Sequence, residues 1–245
     1  MLIILCLALI VSASCLDPRI IGGTPTTIDE HPYQVSLHYD GEYVCGGSII
    51  NKQWILTAAH CVYGGSPKLF RVRVGSTYYH QGGTLIADIS AIILHKQYRF
   101  DTFDYDVALI KLLRPLTTGP NVRIIILENA DAKVDSKATV AGWGKMSENG
   151  PTSKQLRRVV LPIMDQQKCR NIYQFYRIVT PNMLCAGDTT NNKDTCQGDS
   201  GGALVFNGAQ IGIVSWGAQC ESVGFPGVYT RVSAIRRWIT EQTNV

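Results

Sequence analysis

The stretch Phe70-Arg71-Val72-Arg73-Val74 alternates apolar and basic side chains, which is the period-two pattern of a strand with one buried face. Residues 107–113 and 211–216 are more continuously apolar, as expected of strands that are buried on both faces. Turn-forming pairs such as Gly82-Gly83 and Gly119-Pro120 separate these stretches. From residue 34 onward the sequence therefore predicts short strands joined by turns.

Helical periodicity is convincing only near the end of the chain. There Val232, Ile235, Trp238 and Ile239 line one face of a predicted helix, and Ser233 is a candidate N-cap. No low-complexity segment or linker-like stretch divides the chain. The predicted fold class is therefore all-β with a C-terminal α-helix.

The composition is that of an ordinary globular protein. The 245 residues are 45% hydrophobic and 17% charged, which suits one or two domains with a substantial core. The formal net charge is only +4, and Lys and Arg are scattered rather than clustered. This pattern gives no reason to expect nucleic acid or an anionic membrane as a partner.

The N-terminus differs from the rest of the chain. Residues 2–11 form an unbroken apolar run that ends in the small residues Ser12-Ala13-Ser14. Such a run is too short to span a bilayer and is typical of a secretory signal peptide, although no Lys or Arg precedes it. We expect a signal peptide over residues 1–15, cleaved after Ala13, Ser14 or Cys15, and a secreted, extracellular protein. The alternative is a buried N-terminal strand.

Export would place the cysteines in an oxidising compartment, where they usually form disulfides. Two of the eight, Cys6 and Cys15, lie in or beside the expected signal peptide. The remaining six suit three bridges, for which sequence alone allows fifteen pairings. These six are Cys45, Cys61, Cys169, Cys185, Cys196 and Cys220. Zinc binding is the alternative, but the chain contains no Cys-x-x-Cys pair.

A candidate nucleophile, Ser200, lies in the segment Gly198-Asp199-Ser200-Gly201-Gly202. Glycines on both sides allow a sharp backbone turn and let backbone N–H groups approach a substrate carbonyl closely. The alternative is a tight surface turn, because Gly, Asp and Ser are also ordinary turn residues.

A candidate base and a candidate orienting acid occur elsewhere in the chain. His60 lies in Thr57-Ala58-Ala59-His60-Cys61, directly after an apolar stretch, and a disulfide at Cys61 would hold its backbone rigidly. Asp106 stands at the start of the buried stretch 107–113, where a carboxylate is costly unless it is paired. Asp101 and Asp104 are interpreted as surface acids.

Taken together, in the order His, Asp, Ser, the three segments resemble the signature segments of the chymotrypsin and trypsin family of serine endopeptidases. Four further segments fit the same family: Ile20-Ile21-Gly22-Gly23, Ala141-Gly142-Trp143-Gly144, Ser215-Trp216-Gly217 and Pro226-Gly227-Val228-Tyr229. The resemblance runs from Arg19 to the end of the chain. It implies two packed antiparallel six-stranded β-barrels that join near residues 120–130, with the site in the cleft between them.

The resemblance also implies residue roles. His60 would be the general base, Asp106 would hold its tautomer, and Ser200 would attack the substrate carbonyl. The backbone N–H groups of Gly198 and Ser200 would form the oxyanion hole. The implied disulfides are Cys45–Cys61, Cys169–Cys185 and Cys196–Cys220.

Specificity is expected from Asp194, which matches the base of the family's primary specificity pocket and would bind a basic side chain. Ser215, Trp216, Gly217 and Gly227 match further substrate-binding positions. Gln219 departs from the family pattern, because trypsins usually have glycine there, and it could change the preference between Arg and Lys. From sequence alone, Asp194 could also be an ordinary loop acid.

Activation is expected by cleavage after Arg19, which precedes Ile20. Residues 16–19 would then be a short propeptide, and residues 20–245 the peptidase domain. By the same resemblance, the new α-amino group of Ile20 would pair with the carboxylate of Asp199, the acid before the candidate nucleophile, as a buried switch.

We therefore expect a secreted endopeptidase that cuts after Arg or Lys, acts as a monomer and binds protein protease inhibitors. No cofactor or metal is expected, since the loop 75–83 carries no Asp or Glu for calcium. The alternatives are a catalytically silent binding protein with the same fold and a purely structural disulfide-stapled protein.

Overall fold

The structure, a computed structural model, describes residues 23–147, 149–188, 195–218 and 224–245. The expected signal peptide and propeptide, together with Ile20, Asp194, Gln219 and Cys220, lie outside these ranges. Among the described residues, no helix is both long and apolar enough to cross a bilayer.

Most of the described chain forms short strands, as the alternation and turn pattern predicts. In chain order these are β1 (Thr24–Pro25), β2 (Gln34–Tyr39), β3 (Glu42–Asn51), β4 (Trp54–Thr57), β5 (Phe70–Val74), β6 (Thr84–Ile86), β7 (Ile89–Leu94), β8 (Ala108–Leu112), β9 (Ile126–Leu127), β10 (Lys137–Gly142), β11 (Arg157–Pro162), β12 (Met183–Ala186), β13 (Ala203–Phe206), β14 (Ala209–Trp216) and β15 (Gly227–Arg231). The helices are α1 (Gln166–Tyr173) and α2 (Val232–Thr243), and two short 3₁₀ turns span Ala59–Cys61 and Pro67–Leu69.

The first sheet closes on itself. Its strand order, β6-β5-β2-β3-β4-β8-β7, puts β6 and β7 at opposite edges, yet only two residues separate these strands in the chain. The two edges are therefore halves of one bent strand, and the sheet forms a barrel of six strands.

The second sheet closes in a similar way. Its path runs β11-β10-β13-β14-β15-β12, and an antiparallel bridge between Ile163 and Ala186 joins the end of β11 to β12. Two short strands are added outside this circuit: β1 pairs with β11, and β9 runs parallel to β14. The expectation of two six-stranded barrels is confirmed.

Each barrel has its own core, and a third core joins them. Val35, Val72 and Ile110 belong to the buried cluster of the first barrel, and Leu161 belongs to that of the second. The alternation in β5 is confirmed, since Phe70, Val72 and Val74 are buried while the arginines between them are not. The third cluster, the joining core, combines Leu56 and Leu109 of the first barrel with Ile213 of the second and with α2.

The predicted C-terminal helix is confirmed as α2, although its cap differs from the expectation. Val232, Ile235 and Ile239 are buried in the joining core. Ser233 is not the N-cap, because the helix already begins at Val232. Arg231 is in the N-cap position, without a side-chain cap hydrogen bond. The Ser233 hydroxyl instead donates to Asp131 Oδ1 at 2.6 Å.

The second helix, α1, was not found by sequence periodicity. It has only eight residues, and it is capped by the Asp165 side chain, which accepts from the Lys168 N–H at 2.8 Å. It buries Cys169 and Tyr173 beside β12. Eight residues contain too few apolar repeats for the helical period to stand out.

Two of the implied disulfides are present, Cys45–Cys61 and Cys169–Cys185. Cys196 is also disulfide-bonded. Its expected partner, Cys220, lies outside the described residues.

The joining core predicts a large effect of truncation in α2. Ile235→Ala should lower the free energy of unfolding by about 2–5 kcal/mol, because Ile235 is 1% exposed and the change leaves a cavity. Arg237→Ala is the matched control in the same helix, since that side chain is 92% exposed. Denaturant unfolding measures both. Equal losses in the two variants would show that α2 does not contribute through the joining core.

Candidate active site

The register of two strands brings His60 and Asp106 together. Strand β4 pairs antiparallel with β8, and Thr57, at the end of β4, lies opposite Ala108, at the start of β8. His60 follows the end of β4 and Asp106 precedes β8, so both residues leave the sheet at the same edge. Their side chains are hydrogen-bonded, with 2.7 Å between His60 Nδ1 and Asp106 Oδ2.

The carboxylate of Asp106 is fully buried and is surrounded by donors. Its Oδ1 accepts from the backbone N–H of His60 at 2.9 Å, and its Oδ2 accepts from Ser215 Oγ at 2.5 Å as well as from the imidazole. Its own backbone carbonyl accepts from Thr230 Oγ1 at 2.8 Å. These hydrogen bonds offset the free energy lost when the carboxylate is removed from water, and they fix the orientation of the imidazole.

The imidazole of His60 is held in place but remains accessible. Its side chain is 19% exposed, its backbone lies in the 3₁₀ turn that ends at Cys61, and its ring lies 5.4 Å from the ring of Phe103. Cys45, His60 and Cys61 are the only group of potential metal ligands among the described residues. Since the two sulfurs are joined in a disulfide, neither is available as a thiolate, and the group does not fit a metal.

Ser200 reaches this edge because its loop, which belongs to the second barrel, docks on the first. Gly46 in β3 donates its N–H to the Ser200 carbonyl at 2.8 Å, and Gly201 donates to Val214 in β14, also at 2.8 Å. Gly201 has a φ of +80°, and a Cβ there would overlap Thr57 Oγ1. Only glycine suits that position. The Ser200 loop therefore packs directly against Thr57, which lies three residues before His60 in the sequence.

The structure places His60, Asp106 and Ser200 in one region. His60 and Asp106 are hydrogen-bonded to each other, whereas Ser200 is not bonded to either in the described part of the chain. In the described part of the chain, no hydrogen bond joins the Ser200 hydroxyl to His60. The backbone N–H groups of Gly198 and Ser200 likewise donate to no described protein group. Two N–H donors that are two residues apart therefore have no partner in the described part of the chain, and Ser200 itself is half-buried.

Tyr43 contacts this loop and was not identified from the sequence. Its hydroxyl donates to the carbonyl of Gly198, and its ring stacks on Tyr79 with centroids 4.9 Å apart. Burial raises the pKa of the Tyr43 phenol, so it stays a neutral donor. A tyrosine in an ordinary strand carries no sequence signal of such a contact.

Asp199 is a second buried carboxylate, and its surroundings differ from those of Asp106. It is 1% exposed and accepts the backbone N–H groups of Gly144 at 2.8 Å and Cys196 at 3.0 Å. A Cβ at Gly142 or Gly144 would overlap its oxygens, which explains the glycines there. Burial raises its pKa to about 6. No cation pairs with it among the described residues, and Ile20 lies outside them.

The expected substrate-binding residues are placed in part. Ser215 and Trp216 end β14, and Gly227 begins β15, which pairs with β14. A Cβ on Gly217 would meet no atom of the described residues within 4 Å, so these residues leave space beside it. Asp194 and Gln219 lie outside the described residues, so the base of the expected pocket is not described.

The loop 75–83, considered above for calcium, is held by protein donors. Arg73 donates to the carbonyls of Tyr79 at 2.9 Å and Gly82 at 2.5 Å. Ser76 Oγ lies 2.8 Å from the Tyr78 carbonyl and 2.6 Å from the Gln81 carbonyl. Carbonyl oxygens of this loop therefore face a guanidinium and a hydroxyl.

Known proteins show close similarity to this chain. The family model described as Trypsin matches residues 20–239. The chain is 40% identical to a vitellin-degrading protease of Bombyx mori, over 92% of this chain and 86% of that protein. It is 41% identical to Trypsin alpha-4 of Lucilia cuprina, over 91% and 87%, and 43% identical to Hypodermin-B of Hypoderma lineatum, over 92% and 88%.

A solved structure agrees with these matches. Neuropsin, described as a serine protease expressed in the limbic system of mouse brain, superposes with a TM-score of 0.83 at 33% identity. The match covers 90% of this chain and 98% of that one.

The buried carboxylate of Asp199 makes the stability of the uncleaved chain depend on pH. Because its folded-state pKa is raised from 3.8 to about 6, the folded state keeps a proton that the unfolded state loses as pH rises from 4 to 6. This group should therefore destabilise the uncleaved chain by about 2 kcal/mol at pH 7 relative to pH 4.

Denaturant unfolding between pH 4 and pH 7 tests this, in an Arg19→Gln background that prevents cleavage. The stability of Asp199→Asn relative to the parent should rise across that range. A difference between the two that does not change with pH would contradict the assignment.

Proposed function

The chain belongs to the trypsin family of serine endopeptidases, and from this premise we propose that it hydrolyses peptide bonds after Arg or Lys in protein and peptide substrates. The observation that carries the proposal is the 2.7 Å contact between His60 and the buried Asp106, beside the Ser200 loop. In the described part of the chain this loop has two unused N–H donors, those of Gly198 and Ser200.

The residues have complementary roles in the proposed reaction. Because Asp106 accepts from Nδ1, the neutral imidazole carries its proton on Nδ1. Nε2 is then unprotonated and can take the proton of Ser200. The Ser200 oxygen attacks the substrate carbonyl, and the N–H groups of Gly198 and Ser200 stabilise the oxyanion. His60 then returns the proton to the leaving amine, and an acyl-enzyme remains. Water, deprotonated by the same base, releases the acid product and regenerates Ser200.

Asp194 is proposed to select the basic residue at the cleaved bond. A carboxylate in a pocket partly shielded from water stabilises a guanidinium or ammonium by charge-assisted hydrogen bonds. The space that the described residues leave beside Gly217 supports the entry of a long side chain. Ser215, Trp216 and Gly227 would line the same site.

Activation is proposed to follow cleavage after Arg19. The free amine of Ile20 would supply the cation that Asp199 lacks among the described residues, and a buried pair of this kind acts as a switch. We propose that residues 1–15 direct secretion, that residues 16–19 are the propeptide, and that the enzyme acts as an extracellular monomer. Protein protease inhibitors would bind the same cleft as substrates.

Removal of the proposed nucleophile tests catalysis. Ser200→Ala should fold normally, because it deletes one oxygen, and should lose kcat by at least about 10³-fold. Ser233→Ala is the control, since its hydroxyl lies on α2 and bonds Asp131.

Labelling with a fluorophosphonate separates this proposal from a silent binding protein. The activated wild type should be labelled and Ser200→Ala should not. An unlabelled wild type would favour the binding protein, and a Ser200→Ala variant that keeps more than a few per cent of wild-type kcat would show that the nucleophile is misassigned.

Replacement of Asp194 tests specificity. Asp194→Ser leaves a bound guanidinium without a counter-charge, which costs about 3–5 kcal/mol by analogy with a broken buried ion pair. That corresponds to roughly two to four decades in kcat/KM for Arg and Lys substrates, with much smaller losses for Leu or Phe substrates. The control is Asp88→Ser, an exposed acid between β6 and β7. Equal losses on basic and apolar substrates would mean that Asp194 supports the structure instead of binding the substrate.

A further inference from the structure

Arg177 has an unusual position for a surface arginine. Its guanidinium carbon lies 4.6 Å from the ring centroid of Phe103 and 5.2 Å from that of Trp216. Aromatic faces attract a cation and hold it in one place. The neighbouring residues Tyr176 and Ile178 are 56% and 72% exposed, so this segment lies at the surface, where a substrate can reach it.

The charge of Arg177 has no counter-charge within the described residues. Its side chain forms no ion pair or hydrogen bond there, and its Nη1 is buried without a partner. Other arginines near carboxylates are paired, among them Arg99 with Asp101 and Arg237 with Glu241. A partly buried cation without an acceptor is costly, and a ligand that brings a carboxylate would remove that cost.

Two further donors in the same region also lack acceptors. Trp216 Nε1 and Tyr98 Oη are buried and have no hydrogen-bond partner among the residues that the structure describes. Trp216 carries a ring that Arg177 contacts. Burial raises the pKa of the Tyr98 phenol, the Asp106 carboxylate raises it further, and the charge of Arg177 opposes this rise, so Tyr98 lies near both charges. The Asp106 side chain accepts from His60 and Ser215 and from neither of these two donors. The region thus has an excess of donors, which suits an acidic ligand.

This donor-rich region is next to the proposed catalytic base. The Phe103 ring that contacts Arg177 lies 5.4 Å from the ring of His60, and Trp216 follows Ser215, which bonds Asp106. These two contacts in series place the guanidinium of Arg177 close to the His60 ring, at a distance that an extended peptide covers in roughly three residues of about 3.3 Å each.

The chain itself contains a peptide of the matching kind. The proposed activation site reads Leu16-Asp17-Pro18-Arg19-Ile20, with a carboxylate two residues before the basic residue. The spacing between Asp17 and the bond after Arg19 agrees with the reach of Arg177.

We propose that Arg177 determines a second specificity of this enzyme, by binding an acidic side chain two residues before the basic residue at the cleaved bond. The proposal rests on the proposed function. It gives the enzyme a preference for Asp-x-Arg and Glu-x-Arg sequences, and makes its own activation segment a favoured substrate. The carboxylate pairs with the guanidinium, while the rings of Phe103 and Trp216 shield the pair from water.

The test compares two tetrapeptide substrates with a chromogenic leaving group, Leu-Asp-Pro-Arg and Leu-Asn-Pro-Arg. The activated wild type should cleave the Asp peptide with a kcat/KM roughly three- to tenfold higher, the effect of a partly shielded ion pair. The ratio should shrink in 0.5 M salt. In Arg177→Gln the two peptides should be cleaved equally. The control is Lys168→Gln, which removes an exposed cation on α1 and should keep the wild-type ratio.

Charge reversal makes the test independent of overall activity, because each variant is judged by a ratio between its own substrates. Arg177→Glu should prefer Leu-Lys-Pro-Arg over Leu-Asp-Pro-Arg, the reverse of the wild type. If the wild type cuts both the Asp and Asn peptides equally well, this inference fails and the proposed function stands. If it cuts no peptide after Arg, the proposed function itself fails. A preference for Asp that survives in Arg177→Gln would assign the selectivity to another residue.

Discussion

The buried carboxylate of Asp106 constrains this site more than any other group. Because it is removed from water, it must be surrounded by donors, and these come from separate parts of the chain. The backbone and ring of His60 approach from the end of β4 in the first barrel, and Ser215 approaches from β14 in the second. Satisfying one carboxylate therefore fixes the direction of the imidazole and, at the same time, the position of one barrel against the other.

The second buried carboxylate, Asp199, has the opposite character. Its described partners are backbone N–H groups, which stabilise its charge less completely than a cation would, and its pKa is raised to about 6. Asp106 thus already has hydrogen-bond donors to both of its carboxylate oxygens, whereas the charge of Asp199 is only partly compensated among the described residues. An acid in that condition, one residue from Ser200, is well placed to couple a covalent change at the N-terminus to the proposed oxyanion hole.

The sequence predicted the features that depend on local pattern. The alternation of β5 and the apolar face of α2 follow from residue periodicity, whereas the two barrels were implied by the resemblance to the chymotrypsin and trypsin family. It did not predict α1, which is too short for its period to show, nor the true start of α2. The contacts of Tyr43 and Arg177 were also missed, because each depends on residues far away in the chain, brought close only by packing.

The carbonyl oxygens of the loop 75–83 are contacted by a cation that belongs to the chain itself, the guanidinium of Arg73. Arg73 and Ser76 contact carbonyl oxygens that point into this loop, and both belong to the chain. A bound ion stabilises a protein only in proportion to the logarithm of its free concentration, whereas a tethered guanidinium cannot be diluted away. The contacts that Arg73 and Ser76 make with this loop therefore do not depend on the supply of a solute.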